Sequence, residues 1–171
     1  MKKTKIAIFG LGYVGLPLAV EFGKKFETTG YDINFDRIKE LKIGYDNTKE
    51  FTKNYIKSGK KLKFSNQIQD LSDSTIFIVT VPTPIYKNKN PDFRSLINAT
   101  EKIAKIIKKN SIVIYESTVY PGLTEEICIP IIEKKSKLRA NKDFFYGYSP
   151  ERINPGDKKH QLKNIKKIVS G

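Results

Sequence analysis

Apolar and polar positions along this chain alternate between two periods. Residues 5–9, Lys-Ile-Ala-Ile-Phe, form a short apolar run that predicts a strand, and Val14, Leu18 and Phe22 then recur every four positions, as on one face of a helix. Residues 28–31 predict a second strand ending at Asp32, followed by a helix carrying Ile38 and Leu41. A Lys-rich stretch around Phe51, Tyr55 and Ile56 reads as helical, and residues 62–64 as a weak strand. Residues 75–81 make a continuous run, rich in β-branched side chains, of the kind found in buried parallel strands, and Pro82-Thr83-Pro84 breaks it. Phe93, Leu96, Ile97, Ile103, Ala104 and Ile107 fall at spacings that mark one face of a helix, which Asn110 can end. A strand at 111–115, a helix at 124–133, a strand at 144–147 and a last strand at 165–170 complete the series.

Strand and helix in alternation at this spacing predict an α/β fold, a doubly wound, mainly parallel sheet with helices on both faces. In such sheets ligands bind beyond the carboxyl ends of the strands. The unusual residues fall there: a glycine cluster after the first strand, Asp32 after the second, Pro82-Thr83-Pro84 after the fourth, Glu116-Ser117-Thr118 after the fifth and Ser149-Pro150-Glu151 after the sixth.

The glycine cluster is Gly10-Leu11-Gly12-Tyr13-Val14-Gly15, between a predicted strand and a predicted helix, with Asp32 following 20 residues after Gly12. Each part has a task. Gly10 permits a sharp turn, Gly12 leaves room for a pyrophosphate against the backbone, and Gly15 lets helix and strand pack closely. The helix N-terminus offers unpaired N–H groups and about half a positive charge to phosphates. Pro17 in the first turn costs little, because its missing N–H has no intrahelical partner. Asp32 can accept hydrogen bonds from both ribose hydroxyls and repels a 2′-phosphate, which selects NAD over NADP. Arg37 complicates this, since an arginine near that acid can welcome a 2′-phosphate or stack on adenine. The expected architecture is therefore a Rossmann-like domain over residues 1–171 with NAD as cofactor.

Composition narrows the partners. Lys and Arg total 32 against 18 acidic residues, a formal charge of +14, which raises the question of nucleic acid. The lysines are scattered over nearly every segment and only four of the basic residues are Arg, so no phosphate-clamping cluster forms. The expectation is no nucleic-acid partner. No run approaches the roughly 18 apolar residues of a membrane span, and the N-terminus does not read as a signal peptide, so a cytoplasmic protein without a membrane partner is expected. The single cysteine, Cys128, allows no internal disulfide and no cysteine metal cage, and no metal site is expected. It lies in an apolar helical stretch and reads as a small buried hydrophobe. His160 matches no catalytic role.

Four motifs in register carry a resemblance. Gly10-Leu11-Gly12-Tyr13-Val14-Gly15-Leu16-Pro17, Val81-Pro82-Thr83-Pro84, Glu116-Ser117-Thr118-Val119-Tyr120-Pro121-Gly122 and Tyr148-Ser149-Pro150-Glu151-Arg152-Ile153-Asn154-Pro155-Gly156-Asp157 resemble, in this order, the N-terminal NAD-binding domain of the UDP-glucose/GDP-mannose dehydrogenase family. The last motif is similar to the branch acting on UDP-N-acetylhexosamines in surface-polysaccharide biosynthesis, of the capsule or O-antigen. In UDP-glucose dehydrogenases the residue four beyond the glutamate is commonly a second glutamate, and here it is Pro155.

The resemblance implies a double oxidation of a sugar C6 alcohol to a uronic acid, with NAD taking the hydride twice and a cysteine holding the intermediate as a thioester until water releases it. It implies catalytic roles for Glu151, which helps activate the hydrolytic water, and Thr118, which orients water or a developing oxyanion. The plainer readings are a surface carboxylate for Glu151 and a helix cap for Thr118. By the same resemblance Gly10, Gly12, Tyr13, Val14, Gly15, Asp32, Arg37, Pro82, Thr83 and Ser117 bind the cofactor, and Arg152, Ile153 and Asn154 lie along the substrate. The family's catalytic cysteine sits in a downstream motif that this sequence does not contain. The expectation is the cofactor half of a longer, homodimeric enzyme, inactive alone, with the central helix and sugar-nucleotide domain outside these 171 residues. A stand-alone NAD-binding sensor, a UDP-glucose 6-dehydrogenase fragment and a hydroxyacid dehydrogenase are the alternatives.

Overall fold

The computed structural model describes residues 3–86, 88–151 and 167–171. Six strands form one parallel sheet: β1 Lys5–Phe9, β2 Glu27–Tyr31, β3 Leu62–Ser65, β4 Ile76–Val79, β5 Ile112–Tyr115 and β6 Phe145–Tyr148. Their order across the sheet is β3-β2-β1-β4-β5-β6, so the chain winds outward from β1 in one direction and then from β4 in the other. A crevice opens between β1 and β4, where the winding reverses. In register, Phe9 stands beside Tyr31 and Val79, and Val79 beside Tyr115, which brings the carboxyl ends of four strands to one edge.

Helices cover both faces because alternate strand residues point to opposite sides. Ile6, Ile8 and Ile78 pack against α1 Gly15–Gly23, α2 Phe35–Ile43 and α3 Lys53–Lys57 through Leu16, Ala19, Val20, Ile38, Leu41 and Ile56. Ala7, Phe9, Phe77, Val79, Val113 and Tyr115 pack against α4 Arg94–Ile106 and α5 Ile129–Ser136 through Leu96, Ile103, Ile129 and Ile132. The doubly wound α/β expectation therefore holds, with every strand pair parallel. Local chemistry sets the boundaries. Asn34 caps α2 by accepting from the Asp36 and Arg37 N–H groups, and Gly44 ends it at φ 80° in the left-handed region.

Three elements differ from the sequence expectations. The strand predicted at 75–81 ends at Val79, because the Thr80 hydroxyl turns inward and donates to the Phe9 and Gly10 carbonyls at 2.9 Å each. The helix predicted at 124–133 begins as a π-turn, Thr124–Cys128, before α5. Pro130 explains the widening: it has no N–H and its ring clashes with the carbonyl one turn back. The last strand predicted at 165–170 is not present among its described residues, where Ser170 makes only an isolated antiparallel bridge to Tyr148. Cys128 is fully buried and burial pushes its thiol pKa up, as expected for a core residue. Beside it, Tyr115 and Thr100 bury their hydroxyls 3.0 Å apart. No helix among the described residues is long and apolar enough to cross a membrane.

Candidate functional site

The crevice at the carboxyl ends of the strands is a cleft of about 880 Å³. The β1–α1 turn forms its floor. Gly10 adopts φ 91°, a left-handed conformation, and a Cβ there would lie 3.0 Å from the Thr80 carbonyl oxygen. At Gly15 a Cβ would fall 1.8 Å from the Gly10 carbonyl oxygen and 2.4 Å from Thr80 Oγ1, so only glycine lets α1 start this close to β1 and β4. Gly12 is different in kind. It has no left-handed φ, and a Cβ on it would meet nothing within 4 Å. The protein's own packing gives no reason for glycine there, whereas a ligand pressed against the backbone does.

Above this floor the chain enters α1: the Leu16 and Leu18 N–H groups already donate to the Gly12 and Val14 carbonyls at 3.0 and 3.4 Å and Pro17 has no N–H, so the donors left for a ligand belong to the glycine turn and the first residue of the helix. At the far end of the turn Asp32 accepts the Leu11 N–H at 2.9 Å through Oδ2 and the Asn34 N–H at 2.9 Å through Oδ1. Two backbone donors fix the carboxylate at the mouth of β2, with lone pairs left for a diol. Arg37 lies beneath the same turn. Its Nε and Nη2 donate to the Leu11 carbonyl at 3.0 and 2.8 Å, and its Nη1 donates to Asp46 at 2.6 Å and Asn47 at 2.8 Å. The α1 N-terminus, the anchored Asp32 carboxylate and the apolar surface of Ile33 thus lie on one wall of the cleft.

The opposite wall comes from the loops after β4, β5 and β6. Ser117 donates to the Val81 carbonyl at 2.8 Å and Thr83 to the Thr118 carbonyl at 2.7 Å, which ties the β4 and β5 loops together. Thr118 itself is exposed in the cleft, and the helical segment that follows has no side-chain cap, so the capping alternative for Thr118 has no support in the structure. Glu151, half-buried, lines the same end. Close by, Glu116 is buried and ion-paired with Lys167. Burial pushes the Glu116 pKa up, Lys167 partly offsets this, and the charge of Glu151 adds to the rise. From the side, Asp92 is chelated by Arg94, which holds its carboxyl well below the usual range against the opposing effect of burial.

Gly10, Gly12, Tyr13, Val14, Asp32, Arg37, Pro82, Thr83, Ser117, Thr118 and Glu151 all line this one cleft, and Gly15 packs directly under it. Arg152, Ile153, Asn154 and His160 lie outside the described residues. Asn47, Asp92, Arg94, Ser95, Asn98 and Glu116 also line the cleft, and Asp46 backs Arg37, none of them assigned a role by the sequence motifs. Only Glu116 carried a signal, a carboxylate at a strand's carboxyl end. Among the described residues no cluster of three or more His, Cys, Asp or Glu could hold a metal ion.

Fold order, glycine turn and anchored carboxylate together define a dinucleotide-binding domain, and the residues present fit NAD: an open cradle over Gly12 and a diol-accepting acid at Asp32. The chain belongs to the UDP-glucose/GDP-mannose dehydrogenase family, whose NAD binding domain matches residues 4–171. It is 58% identical over 171 residues to the UDP-N-acetyl-D-glucosamine 6-dehydrogenase of Pseudomonas aeruginosa, covering 100% of this chain and 40% of that protein. It is 54% identical over 169 residues to the enzyme of the same name from Salmonella typhi, covering 99% and 40%. The crystal structure of NDP-N-acetyl-D-galactosaminuronic acid dehydrogenase from Methanosarcina mazei superposes with a TM-score of 0.89 at 30% identity, over 99% of this chain and 39% of that one. The chain thus spans about 40% of the length of these curated relatives.

Proposed function

We propose that this chain is the cofactor half of an NAD-dependent UDP-N-acetylhexosamine 6-dehydrogenase, with the sugar-binding half, including the thiol that holds the intermediate, supplied by residues beyond these 171. The observation that carries the reading is convergence: the glycine turn with Asp32 on one wall, and Thr118 with Glu151 on the other, face a single cleft. Two relatives, 58% and 54% identical over 100% and 99% of this chain, carry the UDP-N-acetyl-D-glucosamine 6-dehydrogenase name.

NAD, when bound, accepts the hydride. The residues of this chain hold and orient it and act on the hydrolytic water. The α1 N-terminus and the open face of Gly12 receive the pyrophosphate. Asp32 accepts the ribose hydroxyls. Pro82, Thr83 and Ser117, in loops tied together by the Ser117–Val81 and Thr83–Thr118 hydrogen bonds, set the wall against which the reactive ring is oriented. Thr118, exposed beside it, offers a hydroxyl to a water or developing oxyanion, and the Glu151 carboxylate takes a proton from that water in the hydrolytic step. In this proposal Arg152, Ile153 and Asn154, which follow Glu151 directly in the chain, bind the substrate. A homodimer of the longer protein and a cytoplasmic location belong to the same reading.

A chimera tests it: this chain continued by the remaining length of the Pseudomonas relative. The isolated chain binds NAD and forms no uronic acid, while the chimera converts UDP-N-acetylglucosamine or its C4 epimer to the uronic acid with NADH release. Sustained NADH production by the isolated chain, or a chimera that folds, binds NAD and oxidises neither sugar, contradicts the proposal.

A further inference from the structure

Arg37 follows Asp32 by five residues and faces the same end of the cleft, yet its guanidinium is engaged within the protein. Nε and Nη2 chelate the Leu11 carbonyl and Nη1 is shared between Asp46 and Asn47, which occupies four of its five N–H groups. The ion pair is buried, with side-chain exposures of 7% for Arg37 and 0% for Asp46. Asp46 is itself immobilised. Its Oδ2 accepts the Glu50 and Phe51 N–H groups at 3.1 and 3.0 Å, and the Thr48 hydroxyl donates to the carboxylate at 2.8 Å.

Leu11 couples this pair to Asp32. Its N–H goes to Asp32 and its carbonyl to Arg37, so both side chains grip neighbouring groups of the glycine turn. The three charges sum to one negative charge at the ribose end of the cleft. An arginine beside the ribose acid ordinarily welcomes a 2′-phosphate, but leaving a buried partner carboxylate unpaired is strongly unfavourable.

We propose that Asp46 is a specificity-determining residue: by holding Arg37 in a buried ion pair beneath Leu11, it withdraws that cation from the ribose end, so Asp32 faces a 2′-phosphate uncompensated and NADP is rejected. The proposal rests on the NAD-binding reading of the cleft and goes beyond it, because it places cofactor choice in a residue outside the glycine and Asp32 motif.

The test titrates NADH and NADPH into the unmodified chain, Asp46→Asn, and Asp46→Asn with Arg37→Met. With asparagine, the amide oxygen can satisfy the Glu50 and Phe51 N–H groups only by turning its NH2 toward Arg37, which frees the guanidinium. The ratio of NADPH to NADH dissociation constants then falls by about fivefold or more, the scale of one unit charge acting across a solvated mouth. Adding Arg37→Met restores the wide ratio. An Asp46→Asn chain that binds NADH with an unchanged ratio overturns the role of Asp46, whereas an unmodified chain that binds no NADH overturns the cofactor reading and the proposal with it. Should Asp46→Asn fail to fold, the Arg37 Nε–H resonance of the unmodified chain decides. It exchanges slowly and holds its position under excess NADPH; a signal that moves with NADPH and not with NADH overturns the proposal.

Discussion

Substituting alanine at Gly12 and, separately, at Gly15 separates a glycine kept for a ligand from a glycine kept for packing. At Gly12 the added methyl meets no protein atom within 4 Å and the backbone has no left-handed φ, so the folded state loses nothing. Restricting the unfolded chain at this position stabilises the protein by about 0.4–1 kcal/mol, or about 1–4 °C in Tm for a domain of this size. The same methyl stands in the space where the pyrophosphate meets the backbone, so NAD affinity falls at least about tenfold, the equivalent of about 1.4 kcal/mol. At Gly15 the new Cβ would lie 1.8 Å from the Gly10 carbonyl oxygen, and α1 must move off the sheet. Overpacking of that severity costs about 3 kcal/mol, with a fall in Tm of the order of 10 °C. Thermal unfolding by circular dichroism and calorimetric titration with NAD measure both quantities on both variants. A Gly12→Ala chain that binds NAD as tightly as the unmodified one, or that melts well below it, refutes the reasoning.

Three further outcomes follow from the same contacts. Asp46 has a folded-state pKa held below the ordinary aspartate value: burial raises it, but hydrogen bonds from Arg37, Thr48 and Phe51 outweigh burial. Its contribution to stability is therefore complete above about pH 4 and lost as pH falls through the lower folded-state value. Urea midpoints of the unmodified chain and Asp46→Asn converge between pH 5 and pH 2, and a gap independent of pH contradicts this. Cys128, buried with a raised thiol pKa, stays unmodified by a thiol-specific disulfide reagent at pH 8 in the folded chain and reacts on unfolding in guanidinium; immediate labelling of the folded chain contradicts the burial. In the active chimera Glu151→Gln retains NAD affinity, gives an early burst of NADH and then stalls with a covalent sugar adduct visible by mass spectrometry. Normal turnover without adduct makes Glu151 a structural carboxylate.

The sheet and its helices were legible because each strand's apolar run and each helix's four-residue spacing reflect burial in one local element. The Gly10, Gly12 and Gly15 spacing was legible for the same reason, since turn, cradle and packing contact fall within six residues. Tertiary contacts were not. Asp46 sits in a polar stretch, Tyr45-Asp46-Asn47-Thr48, that reads as solvated surface, and its burial comes from Arg37 across the loop. Arg37 left two readings open because its sequence position gave its proximity to Asp32 and not the direction of its guanidinium. The run at 165–170 has strand-like composition, but β-structure needs a partner, and among its described residues only Ser170 has one. The π-turn before α5 followed from Pro130, whose missing N–H matters only once the helix continues through it.

In the proposed reading one cleft at the carboxyl ends of β1, β2, β4 and β5 takes NAD across the switch point. Titrating NAD into isotope-labelled chain and following backbone amide resonances tests it most directly. NAD bound there gives saturable shifts concentrated at Leu11, Gly12, Tyr13 and Val14, at Asp32 and Ile33, and at Thr83, Ser117 and Thr118, with α3 and the Lys-rich surface around Lys60 and Lys61 unmoved. Shifts confined to lysine-bearing surfaces and abolished by modest salt, or saturable binding that leaves Gly12 and Asp32 unperturbed, would contradict it.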